Sequence, residues 1–454
     1  MNTAQHQEKF FQLRKQFLFF CFESFEYAIE KGALKAEFVF NLADKYTFKP
    51  TLLIPERSFY NWNSLSKQTL DTLVFHIGMV ELISYWKVAC PPKVIIKPFH
   101  LGKRAISWWK KLYFNGLGEF FYLNDIRITL QEFMSIKSFS PINVKRPRAH
   151  FDKSVLIPIG GGKDSVVNLE LLKNERDRKI IPLIMNPREA SLKCAETAGF
   201  SEGEIAVINR TIDPLLLKLN AEGFLNGHTP FSALLAFVSL LIAFGSGSKY
   251  IALSNESSAN EATVPGSEIN HQYSKSIEFE SDFRNYVAAN LNKNVQYFSF
   301  LRPLNELQIA DLFSRYKAYF SVFKSCNVGS KTDSWCGSCP KCLFTWLILS
   351  PFISQQELTK IFNKNLLADT KLTPVFDALS GQTETKPFEC VGTIDEVNTC
   401  ASFILKNYDK AEVPVLKNFD ATHVIPIATI LEEKNGTHFL PEYFERIIKK
   451  SRNA

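Results

Sequence analysis

From about residue 150 onward this chain predicts an α/β fold built on a parallel sheet, and three observations carry that expectation. Short β-branched or apolar runs at residues 154–159, 180–185, 204–208 and 250–253 read as strands. Between them, residues 165–174, 189–198 and 231–244 show helical patterning, and strands alternating with helices mark a parallel sheet with helices on both faces. A run of three glycines lies directly between the first of these strands and its helix. Ligands of such sheets sit beyond the carboxyl ends of the strands, so the loops after Ile159, Met185 and Leu253 are where a site is expected.

The first 150 residues read differently. A helix-like start leads into aromatic-rich alternating segments at 37–42 and 46–54. Residues 70–86 carry Leu73, Phe75, Ile77, Val80 and Ile83 at helical spacing and predict one buried helix. Pro141, Pro147 and the basic residues 145–148 predict a linker. The expected organisation is therefore an N-terminal mixed α/β or α+β module over 1–150, able to bind substrate. The parallel-sheet domain with a cysteine cluster follows over 151–350, and a mostly helical C-terminal extension over 351–454.

Bulk composition bounds the function. With 46% hydrophobic and 22% charged residues the chain is ordinary globular protein, and its 40 phenylalanines read as core filling. The longest apolar run, residues 231–244, is broken by Ser232 and Ser239 and is too short to span a bilayer. Residues 1–15 are polar with no signal-like apolar stretch, so a cytoplasmic protein without membrane association is expected. The nine cysteines are odd in number and four cluster, which favours metal binding or catalysis over a disulfide framework. Net charge is +7, and no acidic residue falls between Glu81 and Glu119, a stretch holding Lys87, Lys93, Lys97, Lys103, Arg104, Lys110 and Lys111. Such a stripe suits an anionic ligand or a solvated face. Charge is modest elsewhere, so a nucleic-acid partner is not expected.

The sharpest motif is Gly160-Gly161-Gly162-Lys163-Asp164-Ser165. Glycines let the backbone approach a ligand, and their amides, with those of a helix N-terminus, form a nest for phosphate oxygens. Lys163 would add positive charge, Asp164 would hold a magnesium ion and Ser165 would bond a phosphate. A tight turn alone needs one or two glycines, not three followed by Lys-Asp-Ser. The loop lacks the Walker spacer and the Rossmann spacing. It resembles the PP-loop signature Ser-Gly-Gly-x-Asp-Ser of the ATP pyrophosphatase superfamily, with Gly160 where serine is usual. That resemblance implies an adenine nucleotide alpha hydrolase-like domain that grips pyrophosphate while AMP passes to an acceptor oxygen.

Cys326, Cys336, Cys339 and Cys342 form C-x9-C-x2-C-x2-C. Thiolates at this spacing suit one tetrahedral structural zinc, while a [4Fe–4S] cluster and buried free thiols remain alternatives. A four-thiolate zinc is closed and would not be the catalyst.

Two polar stretches follow: residues 253–261, including Glu256, and residues 270–276, including His271 and Lys275. Together with the glycine loop, Cys-Gly-Ser-Cys-Pro-Lys-Cys at 336–342, residues 75–81, Ser84-Tyr85-Trp86-Lys87 and residues 386–392, they resemble one family. It is that of the UDP-N-acetylmuramoyl-L-alanyl-L-glutamate epimerases of bacterial cell-wall synthesis, and the likeness extends over roughly residues 70 to 400. The resemblance implies an ATP- and Mg2+-dependent inversion of the terminal L-glutamate of a UDP-linked muramoyl dipeptide, releasing AMP and diphosphate. Adenylation of the carboxylate would make the α-proton acidic enough to remove. His271 and Lys275, with Glu256 a third candidate, are the expected proton-transfer groups, although His271 as a structural histidine stays open. Two rivals remain: a PP-loop ligase of the 7-cyano-7-deazaguanine synthase or tRNA-modifying type, and a non-catalytic ATP-binding sensor.

Overall fold

A computed structural model describes residues 3–175, 177–264, 266–267, 269–421 and 424–452. The chain is α/β, with a mixed sheet and many helices. Eleven strands occur among the described residues: β1 (Phe19–Glu30), β2 (Ala33–Leu42), β3 (Tyr46–Phe48), β4 (Thr51–Ile54), β5 (Lys93–Ile96), β6 (Ser135–Ser138), β7 (Asp152–Pro158), β8 (Ile180–Met185), β9 (Ala206–Thr211), β10 (Ser248–Leu253) and β11 (Gln296–Ser299). They fall into two compact units that interleave along the chain. The first holds the described residues up to Leu156, Ala206–Ile251 and Tyr273–Tyr297; the second holds Ile157–Ile205, Ala252–Gln272 and Phe298 onward.

In the first unit β1 and β2 form a long antiparallel hairpin with Glu30 opposite Ala33. The Lys31-Gly32 turn has positive φ at both residues, the primed geometry that matches strand twist. β3 and β4 pair antiparallel with β2, and β9 pairs antiparallel with β4. On the other side β1, β5 and β6 run parallel, and β10 runs parallel to β7. The expectation of an all-parallel arrangement therefore fails at β9, whose partner lies in the N-terminal segment.

Phenylalanines make the core of this unit. Phe20, Phe22, Phe38, Phe40 and Phe48 are all essentially buried, and Phe22 stacks on Phe75 at 5.8 Å. Phe75 belongs to the helix Lys67–Trp86, capped by Ser66 and buried from Leu73 to its end. The proline-bearing segment expected to be a linker has no regular structure over 144–150 but is stitched down, its Lys145 carbonyl accepting from Thr72 at 3.0 Å.

In the second unit the sheet edge is extended by Ile159 N–H donating to Leu183 at 2.9 Å and Phe300 N–H to Leu253 at 2.7 Å. After β11 the described residues are helices and turns, including Glu306–Ser314, Pro340–Leu349, Ile394–Asn407 and Glu442–Arg452. Among the described residues no helix is long and apolar enough to cross a membrane.

Gly78 is a tight point of the first unit's core, since a Cβ there would lie 2.4 Å from the Phe22 ring and 2.8 Å from the Phe38 ring. Alanine would gain about 1 kcal/mol of helix propensity but force rings apart at a cost of about 1–3 kcal/mol. Urea unfolding of Gly78→Ala is expected to show a net loss of stability, with the transition slope unchanged.

Candidate functional site

The glycine loop closes the strand β7 and opens the helix Lys163–Leu172. Gly161 takes φ +86°, and a Cβ on it would lie 2.8 Å from the Ser191 amide, so only glycine lets the loop lie against that helix start. Gly162 is the N-cap residue. The Gly160 amide donates to Ser165 Oγ at 3.0 Å, the Gly160 carbonyl accepts from Arg188 at 2.8 Å, and the Gly161 carbonyl accepts from the Lys324 amide at 2.8 Å. Arg188 follows β8, and Ser191 is in the first turn of the helix Glu189–Thr197. The loops after Ile159 and Met185 are thus joined.

The loop after Leu253 joins them through Asn168, which donates to the Ala252 carbonyl and to Ser254 Oγ, each at 3.0 Å. Glu256 lies in this loop, 6% exposed, accepting from Ser258 Oγ at 2.8 Å. Arg302, wholly buried, donates to the Glu256 carbonyl and so fixes its backbone.

Lys163 is not a surface cation. It is 3% exposed, and its ammonium donates to Asp164 and to Glu306. Burial alone would lower its pKa, but the two carboxylates outweigh burial and keep the ammonium charged. Glu306 is the first residue of the helix Glu306–Ser314, and its amide donates to the Glu396 carboxylate at 2.7 Å. Burial pushes Glu396 up to about 7. Sequence reasoning missed Glu306, Glu396, Arg188 and Arg302. Asn305 and Gln308 do spell a capping box, a signal for a helix start that carries no hint of a lysine 143 residues away.

The other expected groups belong to different units. His271 is in the second unit, its amide donating to Thr263 Oγ1 at 3.0 Å, and Lys386 holds the same segment through Thr263 and Glu261. Lys275 belongs to the first unit, in the short turn Tyr273–Lys275. The basic stripe is split among separate tasks: Lys97 pairs with Glu23, Lys111 pairs with Glu278 and Asp282, and Lys87 is 7% exposed.

The four clustered cysteines converge. Their sulfur atoms lie within 4.8 Å of one another, with Cys326–Cys339 and Cys336–Cys342 at 3.8 Å and Cys339–Cys342 at 3.5 Å. Thiolates on a tetrahedral zinc at about 2.3 Å stand about 3.8 Å apart, so the donor set fits that ion. Backbone amides point at the same sulfurs, Gly329 donating to Cys326 at 3.1 Å and Ser338 to Cys336 at 3.5 Å. Cys339 is the N-cap of the helix Pro340–Leu349.

Comparison with known proteins bears on this arrangement. The MurL N-terminal domain family matches residues 12–300, and the MurL C-terminal domain family matches residues 321–430. The chain belongs to the MurL family. Among its MurL relatives, a Micromonospora protein is 34% identical over 358 residues, covering 77% of this chain and 78% of the relative. A Xanthomonas oryzae pv. oryzae protein is 34% identical over 76% of each chain, and a Salinispora tropica protein 33% identical over 77% of this chain and 76% of its own length. All three are named UDP-N-acetyl-alpha-D-muramoyl-L-alanyl-L-glutamate epimerase. No solved structure matches this MurL chain.

Breaking a buried pair by removing one partner costs about 3–5 kcal/mol, because the other charge is left unmatched. Lys163→Met is therefore expected to unfold at clearly lower urea concentration than the parent. The double variant Lys163→Met/Glu306→Gln is expected to recover most of that loss.

Proposed function

We propose that this protein inverts the terminal L-glutamate of UDP-N-acetylmuramoyl-L-alanyl-L-glutamate to D-glutamate, at the expense of ATP, in the synthesis of peptidoglycan precursors. It is an isomerase on this reading and works in the cytoplasm. The observation that carries the proposal is the glycine loop at the carboxyl end of β7, held by Arg188, Ser191 and Lys324, in a chain that aligns over three quarters of its length with proteins named for this reaction.

The loop belongs to a PP-loop, adenine nucleotide alpha hydrolase-like domain. Gly161 and Gly162 would receive the β- and γ-phosphates on backbone amides, with Gly160 shaping the loop through its bond to Ser165, at the N-terminus of a helix whose dipole favours negative charge. Asp164, with 34% of its side chain exposed, would hold Mg2+, which would neutralise phosphate charge. Lys163 would meet the phosphates only by exchanging a carboxylate partner, so it serves first to balance charge.

The chemistry follows from the acidity of the α-proton. Next to a carboxylate the carbanion would sit beside an existing negative charge. Transfer of AMP to that carboxylate removes the charge and makes deprotonation accessible. Proton removal from one face and return to the other inverts the centre, and water then releases AMP. His271, Lys275 and Glu256 are the candidates for moving the proton. The cysteine cluster would hold a structural zinc that fixes the start of the helix Pro340–Leu349, outside the chemistry.

Purified protein is expected to release AMP and diphosphate from Mg-ATP only with the UDP-linked dipeptide, and in deuterated water to give D-glutamate carrying an α-deuteron. No AMP with this substrate, but AMP with 7-carboxy-7-deazaguanine and ammonia, would replace the epimerase by a PP-loop ligase. Separately, elemental analysis is expected to find one zinc per chain, lost on Cys339→Ser together with several degrees of thermal stability. Iron with acid-labile sulfide would instead assign a cluster.

A further inference from the structure

The segment from Leu431 to Arg452 lies past residue 430, where the match to the MurL C-terminal domain family stops. Together with Pro303 it encloses a cavity of about 790 Å³, and every residue lining that cavity belongs to the second unit. No residue of the glycine loop lines it. Pro303, Leu431 and Ile448 give the cavity an apolar wall, and Lys434, His438 and Arg452 stand around the same space. Its size suits a small organic molecule, and apolar lining with a few convergent polar groups is the usual make-up of such a site.

Charge decides what kind of molecule. The lining carboxylate of Glu445 is taken up by Lys449 at 2.5 Å, which leaves Glu432 as the other lining acid. Against that one negative charge stand two positive ones. Lys434 is exposed and has no hydrogen bond or ion pair to another described residue. Arg452 donates to the Leu431 carbonyl at 3.1 Å and keeps its remaining N–H groups and its charge. His438 Nδ1 accepts from the Leu440 amide at 3.3 Å, so the neutral ring carries its proton on Nε2 and is a further donor. One negative charge on the occupant completes the set.

We propose that this cavity binds a small organic anion, a carboxylate or phosphate ester on an apolar body, and that its occupancy is felt at the glycine loop. The apolar body lies on Pro303, Leu431 and Ile448, and the anionic group is met by Lys434, His438 and Arg452. The walls are tied to the helix that holds Lys163. Arg452 and Gln308 share the Leu431 carbonyl, Gln308 at 2.9 Å, and Glu306 in the same helix as Gln308 pairs with Lys163. Asn435 donates to the Arg302 carbonyl at 3.0 Å, and Arg302 in turn donates to the Glu256 carbonyl. An anion that fixes the loop between Leu431 and His438 therefore fixes the start of that helix, and nucleotide meets a site already in place. The two ligands favour each other, and the effect is reciprocal. This coupling rests on the glycine loop taking ATP, as read above; the binding of the anion does not.

Calorimetric titration of the full chain with phenylacetate, phenyl phosphate and the cation benzylamine tests the inference. Both anions are expected to bind, the tighter of the two naming the head group, and benzylamine is expected not to. Lys434→Glu disturbs no described contact and is expected to weaken anion binding at least about tenfold, as is Arg452→Gln. Saturating phenylacetate is expected to tighten Mg-ATP binding at least about fivefold in the parent and not in Lys434→Glu. No binding of either anion, or equal binding of benzylamine, would overturn the inference. So would anion affinity within about threefold of the parent in both variants, because the anion then sits elsewhere. Unchanged Mg-ATP affinity in the parent with phenylacetate bound would overturn the coupling. A parent that binds phenylacetate but no Mg-ATP would instead sink the glycine-loop reading, which keeps the two failures distinct.

Discussion

The buried ion pair between Lys163 and Glu306 is the constraint on which the second unit's site depends. Each charge alone would cost several kcal/mol to remove from water; Lys163 is matched by both Asp164 and Glu306, and Glu306, whose pKa burial pushes well above the usual carboxylate range, is held beside that ammonium. The pair therefore locks the first residue after the glycine loop to the first residue of the helix Glu306–Ser314. The demand propagates outward. The Glu306 amide is satisfied by Glu396, itself the partner of Thr393 in a capping box, and Asn305 and Gln308 bond the carbonyls of Ile430, Leu431 and Glu433. A segment near the C-terminus thus has a physical role at the glycine loop: it holds the helix that holds the lysine.

A second device in the same unit is the cysteine cluster, which gathers the chain around one point beside aromatic packing. Trp335 sits between Phe323 and Phe362, and the four sulfurs gather beside it. The two devices differ in what they ask of the sequence. Thiolates at two-residue spacing converge through local turns, whereas the ion pair needs two helices brought together by the fold. The first unit works by different means, a phenylalanine core under the long helix Lys67–Trp86, whose buried polar groups include His76, Glu81 and Ser84, each hydrogen-bonded.

Much was legible along the chain because the relevant physics is local. Apolar periodicity placed β7, β8, β10 and the helices Lys67–Trp86 and Phe231–Ser246 within a few residues of their observed ends. The glycine loop was legible because a strand, three glycines and a helix start must produce a nest of amides. The likeness to the epimerases was legible because several separated motifs agree in order, and the MurL match covers the same stretches. The antiparallel pairing of β9 was not legible, since strand direction depends on which distant edge a strand meets. Nor was the linker's attachment to the helix Lys67–Trp86, made by single hydrogen bonds with no composition signal.

The sequence by itself determined most of the elements, the glycine loop between strand and helix, the thiol cluster and the family, all of which are carried by local runs of residues. Tertiary structure alone decided which charges are spent and which stay available. Lys163 reads as an open cation, yet folding buries it against Glu306; the lysines from 87 to 111 read as one stripe, yet Lys87 bonds a backbone carbonyl while Lys97 and Lys111 pair with separate carboxylates. His228 and Glu119 lie more than a hundred residues apart and carry no motif, yet they meet at 3.6 Å. Electrostatic partnership is a property of distance in space, and the linear chain does not encode that distance until the core has closed.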